Sequence, residues 1–342
     1  MDHSLEKNPA TASSGTSDGL PASFTNPFES NDPHKISSLS RVKQIWAVGG
    51  GKGGVGKSMI TSNLAITLTR MGYQVTAVDL DLGGANLHTS LGVDLPKQCL
   101  TDFISGRVND LRACVVPTGI PNLHLISGAQ DAVGIANIPQ DHKHLLISQL
   151  RKLDADFVLV DLGAGTPLHT LDFFIHCDVG FVTLLPEPTS IENAYRFIKG
   201  IYFRSLAVAP ELAPVKHLIE LAGDPKNVYG LRTPSDLFRE INRINPECGI
   251  AFKRILERTQ PKLVLNQART QTDIDIGHSV KSVCKKYFGI DLDYTGFLDY
   301  DSSVWQAVRR KRPLVIEFPN SKLVSSFEKI ANQVLRKPKA PY

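Results

Sequence analysis

From Val42 onward, apolar runs of strand length alternate with amphipathic stretches of helix length. Gln44 to Val48 (QIWAV), Gln74 to Val78, Asp156 to Val160 (DFVLV), Asp178 to Leu185 (DVGFVTLL) and Lys262 to Leu265 (KLVL) read as strands. Such continuous hydrophobicity is what a strand covered on both faces requires. Between them, Ser58 to Met71 places Ile60, Leu64, Ala65 and Leu68 at helical spacing, with Gly72 just past its end. Asp141 to Lys152, Ser190 to Arg204 and Asp273 to Phe288 carry similar patterns. The alternation predicts an α/β fold: one domain with a mostly parallel sheet and helices on both faces.

Three stretches depart from this rhythm. Residues 205–258 hold no strong strand pattern. They contain a helix start at Thr233-Pro234, with Leu237, Ile241 and Ile244 on one face, and read as a helical insertion. Ser321 to Leu335 carries the stripe Leu323, Phe327, Ile330 and Val334, which reads as the last core helix. Residues 1–40 show no period at all. Ser, Thr, Pro, Gly and Asn fill 21 of these 40 positions, a composition that cannot bury enough apolar area to offset its ordering entropy. They read as a disordered tail, with Phe24 and Phe28 as its candidate partner contacts. The remainder, 41–342, is the expected folded domain.

Charge and cysteine content narrow the classes. The 342 residues carry 38 Lys and Arg against 34 Asp and Glu, a net charge of +4. The first 40 residues hold two Lys and five Asp or Glu, so the tail is −3 and the body +7. That body charge is too mild to imply nucleic acid by itself. The five cysteines (Cys99, Cys114, Cys177, Cys248 and Cys284) never fall at C-x-x-C spacing. This argues against a metal cluster or disulfide framework and fits a reducing cytoplasm. No apolar run reaches membrane-spanning length, and the N-terminus does not read as a signal peptide.

The sharpest signal is Gly51-Lys52-Gly53-Gly54-Val55-Gly56-Lys57-Ser58. It fits G-x-x-x-x-G-K-[ST] between a strand and a helix, the form of a phosphate-binding loop. Glycines let the amides turn towards phosphate oxygens, and the helix N-terminus faces the same anion. Lys57 would reach the β- and γ-phosphates, and Ser58 would ligate Mg2+. Lys52 is an additional lysine that an ordinary phosphate loop does not need.

Carboxylates stand where such a loop needs them, after neighbouring strands. One strand runs into Val78-Asp79-Leu80-Asp81, another into Val160-Asp161-Leu162-Gly163-Ala164-Gly165. Gly163 and Gly165 would let the backbone respond to a γ-phosphate. The run Asn266-Gln267-Ala268-Arg269 lacks the N-K-x-D pattern that selects guanine, so ATP is the expected nucleotide.

GKGGVGKS at 51–58, VDLDLGGAN at 78–86, VLVDLGAG at 158–165, Val264-Leu265-Asn266 and DSSVWQAVRRKRP at 301–313 together resemble the MinD/ParA family of deviant Walker P-loop ATPases. The runs DLDLGGANLH and AVRRKRPL are most similar to its flagellar-number regulators of the FlhG/FleN type. The resemblance implies a homodimer with ATP between its subunits, across which Lys52 contacts the partner's phosphates. It further implies that Asp81 orients the attacking water, that Asp79 and Asp161 support Mg2+ through water, and that Met59 and Asn266 belong to the nucleotide site. A flagellar or polarity factor would be the protein partner, with membrane or pole contact indirect.

Some family features are missing. No Pro precedes Asp301 by two residues, Arg336 to Tyr342 is too short for a membrane helix, and residues 1–40 lack the Asp-Gln-Ala activation motif. The absent paired cysteines argue against the iron–sulfur carriers of this fold, and the isolated Tyr342 against its tyrosine kinases. Two alternatives to a partner-recruiting switch stay open. One is a partition ATPase binding DNA nonspecifically through Arg309 to Arg312; the other is a non-catalytic nucleotide sensor.

Overall fold

A computed structural model describes residues 44–82, 84–128, 140–224, 230–231 and 233–336. The tail expected over 1–40, and its Phe24 and Phe28, lie outside the described residues. In chain order the elements are β1 (Gln44–Gly49), α1 (Lys57–Arg70), β2 (Val75–Leu80), α2 (Leu87–Leu91), α3 (Leu100–Ile104), β3 (Val116–Pro117), β4 (Leu123–Ile126) and α4 (Gln140–Leu150). They continue with β5 (Phe157–Leu162), α5 (Leu168–Ile175), β6 (Val179–Leu184), α6 (Pro188–Ala207), α7 (Lys216–Gly223), α8 (Pro234–Ile244) and α9 (Pro246–Arg258). The chain closes with β7 (Lys262–Ala268), α10 (Gln271–Phe288), β8 (Asp293–Asp299), α11 (Ser302–Arg309), α12 (Leu314–Glu317) and α13 (Lys322–Leu335).

The eight strands form one sheet in the order β3-β4-β2-β5-β1-β6-β7-β8. Every pairing is parallel except the short β3–β4 edge. β1 lies between β5 and β6, so its carboxyl end, where the glycine loop starts, has neighbours on both sides. Strand alternation divides the core between two faces. Trp46 and Val48 pack with Ile60, Leu64, Phe327 and Ile330 beneath α1 and α13. Ile45 and Ala47 face the other way, into Phe197, Tyr202 and Phe252 of α6 and α9.

The stripe read from 321–335 is fully accounted for by this packing. Leu323, Phe327, Ile330, Ala331 and Val334 are all buried, and α13 lies against β8 and α1. The 205–258 stretch contains the end of α6, a 3-10 turn at Pro210–Val215, and α7, α8 and α9. Local capping explains where the last two begin. Thr233 and Asp236 form a reciprocal capping box on α8, and the Asn245 side chain accepts from the Cys248 amide at the start of α9.

Candidate functional site

The loop between β1 and α1 is shaped by contacts that glycine alone permits. A Cβ on Gly51 would collide with the Asn193 carbonyl of α6, and one on Gly56 with the Asn266 amide nitrogen. Gly56 also has φ of 94°, a left-handed conformation that favours glycine. By contrast, Gly53 and Gly54 have no atom within 4 Å of the Cβ position, so the loop's crest is open. α1 starts without a side-chain cap and without an acidic residue in its first turn, which leaves its leading amides for an external anion.

Lys57 is buried, at 7% exposure, yet its ammonium makes no hydrogen bond or ion pair with any described residue. Its charge acts only at longer range, on Asp161. The side chain is thus packed while its ammonium is left without an anion beside it. A phosphate against the open crest and α1 amides would satisfy it, so the residues fit a nucleoside triphosphate.

Two carboxylates complete the buried side. Asp79 and Asp161 are paired across β2 and β5 and are almost fully buried. Burial raises Asp161 well above the ordinary carboxylate range, reinforced by Asp79 and opposed by a hydrogen bond from Ser58 and the charge of Lys57. Thr61 hydroxyl lies 3.5 Å from Asp161 Oδ1. Asp79 is pushed up to about 6, chiefly by burial, with backbone amides pulling the other way. Its Oδ1 accepts from the Asp81 amide at 3.0 Å and its Oδ2 from the Leu87 amide at 3.0 Å. Asp79 therefore braces the loop that carries Asp81, a role its sequence position did not reveal.

Among the described residues, no group of three or more His, Cys, Asp or Glu is placed to hold a metal. Ser58 and Asp161 could hold Mg2+ only with phosphate oxygens and water supplying most ligands, the usual form of such sites. Burial that disfavours two adjacent charged carboxylates is consistent with a divalent cation arriving with the nucleotide.

Asp81 is half-buried over the β5–α5 turn: a Cβ on Gly163 would sit 3.3 Å from its Oδ1. The same turn is tied to the loop, because Gly165 N donates to the Gly50 carbonyl at 3.1 Å. Gly165 has φ of 82°, a conformation that favours glycine. His169, at the start of α5, is held below the ordinary imidazole range by burial and Lys143, with Asp172 and Asp81 opposing.

Lys52 and Asn266 sit differently from their expected contacts. Lys52 lies on its own subunit's β6–α6 connection, 3.2 Å from Thr189 Oγ1 and 3.6 Å from Glu187 Oε2. Asn266 is buried, its Nδ2 donating to the Val55 carbonyl at 2.9 Å and its Oδ1 accepting from Gln267 N at 3.0 Å. Its visible work is to hold the phosphate loop to β7. Met59 lies just beyond the loop, lining a groove towards α11. Sequence reasoning missed Glu187, Thr189 and Asn193, which reach the loop from far along the chain. Thr61 could have been found, since it lies three residues beyond Ser58 on the same helix face.

A glycine loop at the carboxyl edge of a parallel sheet, with a buried lysine and carboxylates on adjacent strands, defines a P-loop NTPase. Comparison with known proteins agrees. Residues 41–174 match the family model described as ParA, NUBPL iron-transfer P-loop NTPase. Antiactivator FleN of Pseudomonas aeruginosa is 28% identical over 295 residues, 85% of this chain and 86% of that protein. The flagellum site-determining protein YlxH of Helicobacter pylori is 34% identical over 45% of this chain, and the chain spans about half, 52%, of that protein. The structure of the septum site-determining protein MinD from Pyrococcus horikoshii, complexed with Mg-ADP, shares the fold. It superposes with a TM-score of 0.59 at 23% identity, covering 86% of this chain and 96% of that one. Over residues 41–174 the chain thus matches the ParA family model, and its fold is that of the ParA/MinD P-loop NTPases.

Proposed function

We propose that this chain is an ATP-hydrolysing switch that dimerises with ATP and recruits a protein partner to set the number or placement of a cell structure. Flagella or another polar assembly is the structure proposed, on the strength of the similarity to an antiactivator FleN and a flagellum site-determining protein. The carrying observation is the contrast between buried Lys57, whose ammonium has no partner among the described residues, and exposed Lys52 in one loop. The first is suited to a phosphate bound by its own subunit, the second to one it must reach for.

In this reading the loop amides and Lys57 bind the β- and γ-phosphates. Asp81 accepts a hydrogen bond from the attacking water and orients it towards the γ-phosphorus. Lys57 stabilises charge that develops on the transferred group. A Mg2+ ion held by Ser58 and Asp161, and by Asp79 through water, would neutralise the phosphates. Loss of the γ-phosphate releases the Gly163–Gly165 turn, and Lys52 returns to Glu187 and Thr189. Residues 205–258 are taken as an insertion with a partner-specific surface, and the site of action as the cytoplasm, reaching membrane or pole through that partner.

The DNA-partition alternative draws less support. Of the run Arg309 to Arg312, Arg310 and Arg312 both pair with Glu317, and Arg309 stacks on Trp305. Phosphate binding would have to compete with those contacts. The two readings separate by mobility shift of random duplex with ATP. A salt-sensitive complex lost on changing Arg309 to Arg312 to alanine would favour partition. The switch itself is tested by ATP turnover together with light scattering; turnover by a chain that stays monomeric with ATP would refute it.

A further inference from the structure

The α11 helix leaves an aromatic and an aliphatic side chain in solvent on one face. Trp305 is 62% exposed and Val308 58%, three residues apart and so adjacent on the helix. Arg309 lies over the Trp305 ring at 4.7 Å from its centroid. Beside them runs a groove with about 30 Å³ of free space, room for the tip of one side chain. Its floor is Ala307 and Leu314; its walls include Met59 and Asn63 of α1 and Thr89 of α2. The run Arg309 to Arg312 sets four cations beside it, and Glu317 is the carboxylate found paired with them among the described residues. The rim therefore carries excess positive charge.

The groove is also wired to the nucleotide site. Met59 directly follows Ser58 of the phosphate loop. Asn63 Oδ1 accepts from Val315 N at 3.0 Å, and Arg70 Nη2 donates to the Val315 carbonyl at 2.8 Å, so α12 is clamped to α1. The helix that supplies Thr89 begins at Leu87, whose amide donates to Asp79 Oδ2. A shift of the phosphate loop or of the Asp79–Asp81 loop would move a wall of the groove.

We infer that this groove docks an acidic segment of a partner protein, which inserts one apolar side chain beside Trp305 and Val308 and sets its carboxylates on Arg309 and Lys311, the two cations of the run that Glu317 does not hold. Exposed Trp and Arg side by side are the residue types that dominate protein interfaces. Concavity argues for a side chain as guest, since a bilayer offers none to insert. The exposed Trp305–Val308 pair has no use for a phosphate backbone. The inference rests on the switch reading, because partner recruitment is what that reading requires.

The test is selection of displayed random peptides on the ATP-loaded full chain, followed by fluorescence anisotropy with the enriched peptides. The expected peptides combine acidic residues with one large apolar residue. Val308→Asp and, as an exposed charge reversal that leaves the core untouched, Arg309→Glu should each weaken them tenfold or more while ATP binding and melting temperature hold. Peptides without acidic residues, or ones that bind both variants as they bind the wild type, would overturn the proposal. So would the variants losing ATP-dependent dimerisation, or losing binding to phosphatidylserine vesicles or random duplex in place of peptide. Light scattering on the wild type separates the two claims. A chain that dimerises with ATP but selects no acidic peptide refutes the groove alone; one that selects them but never dimerises refutes the switch alone.

Discussion

The two lysines of the phosphate loop, five residues apart, live in different surroundings. Lys57 is buried at the start of α1, fixed by the helix, and its ammonium lacks any described hydrogen-bond partner. Lys52 is exposed on the open half of the loop and rests on Glu187 and Thr189 of the same subunit. The first is preorganised and needs only an anion. The second is held by an exposed ion pair, worth about 0–1 kcal/mol, so leaving it costs little. One loop thus combines a fixed lysine with a movable one, a combination that suits the proposed site completed by two subunits.

The largest effect should come from the fixed lysine. Lys57→Ala removes the charge that a buried phosphate would meet, and should weaken ATP binding by about 3 kcal/mol, or a hundredfold or more, in isothermal titration. A loss under threefold would place Lys57 outside the phosphate site.

Asp79 tests the buried half next. Its folded pKa is raised from 3.8 to about 6. Between those values the unfolded chain has released a proton that the folded chain keeps, so its contribution to stability falls as pH rises through this window. Without nucleotide or Mg2+, Asp79→Asn should match the wild type below about pH 3.8 and exceed it at pH 7 by on the order of 3 kcal/mol in urea unfolding. His88 and His169, both lowered by burial, tilt both proteins alike and cancel in the difference. An unchanging difference across this range would mean that Asp79 carries no such shift.

Smaller effects belong to the exposed half. Lys52→Ala should change monomer stability by less than about 1 kcal/mol, as read by urea unfolding, while abolishing ATP-dependent dimerisation. Glu187→Gln should be gentler still, freeing Lys52 and lowering the protein concentration needed for dimerisation a few-fold. Tighter monomer retention in that variant would show that Glu187 helps Lys52 cross instead of holding it back.

The same division explains how far the sequence carries. The glycine loop, the Asp residues at the carboxyl ends of β2 and β5, and the apolar strands are local patterns, and the sheet is built as those patterns predict. Three strands escaped notice, the first being the two-residue β3. β4 is only Leu123–Ile126, and β8, at the sheet's edge, reads DYTGFLD, with Gly296 in the left-handed range and a register shift against β7. None of the three offers a long apolar run. Helix α5 was missed because its eight residues follow Pro167 without a polar cap. The contacts that pose Lys52 and crowd Gly51 come from residues 187–193, more than 130 positions away, and no local spacing announces them. Asn266 lies where the resemblance puts a nucleotide contact, but only the fold reveals that its amide grips Val55.

The measurement that bears most directly on the whole account is light scattering on two variants in saturating ATP and Mg2+, with bound nucleotide quantified. Asp81→Ala should accumulate as a dimer because hydrolysis no longer parts the subunits. Adding Lys52→Ala to it should return a monomer that still holds ATP. A dimer that survives the loss of Lys52, or an Asp81→Ala protein that stays monomeric, would contradict it.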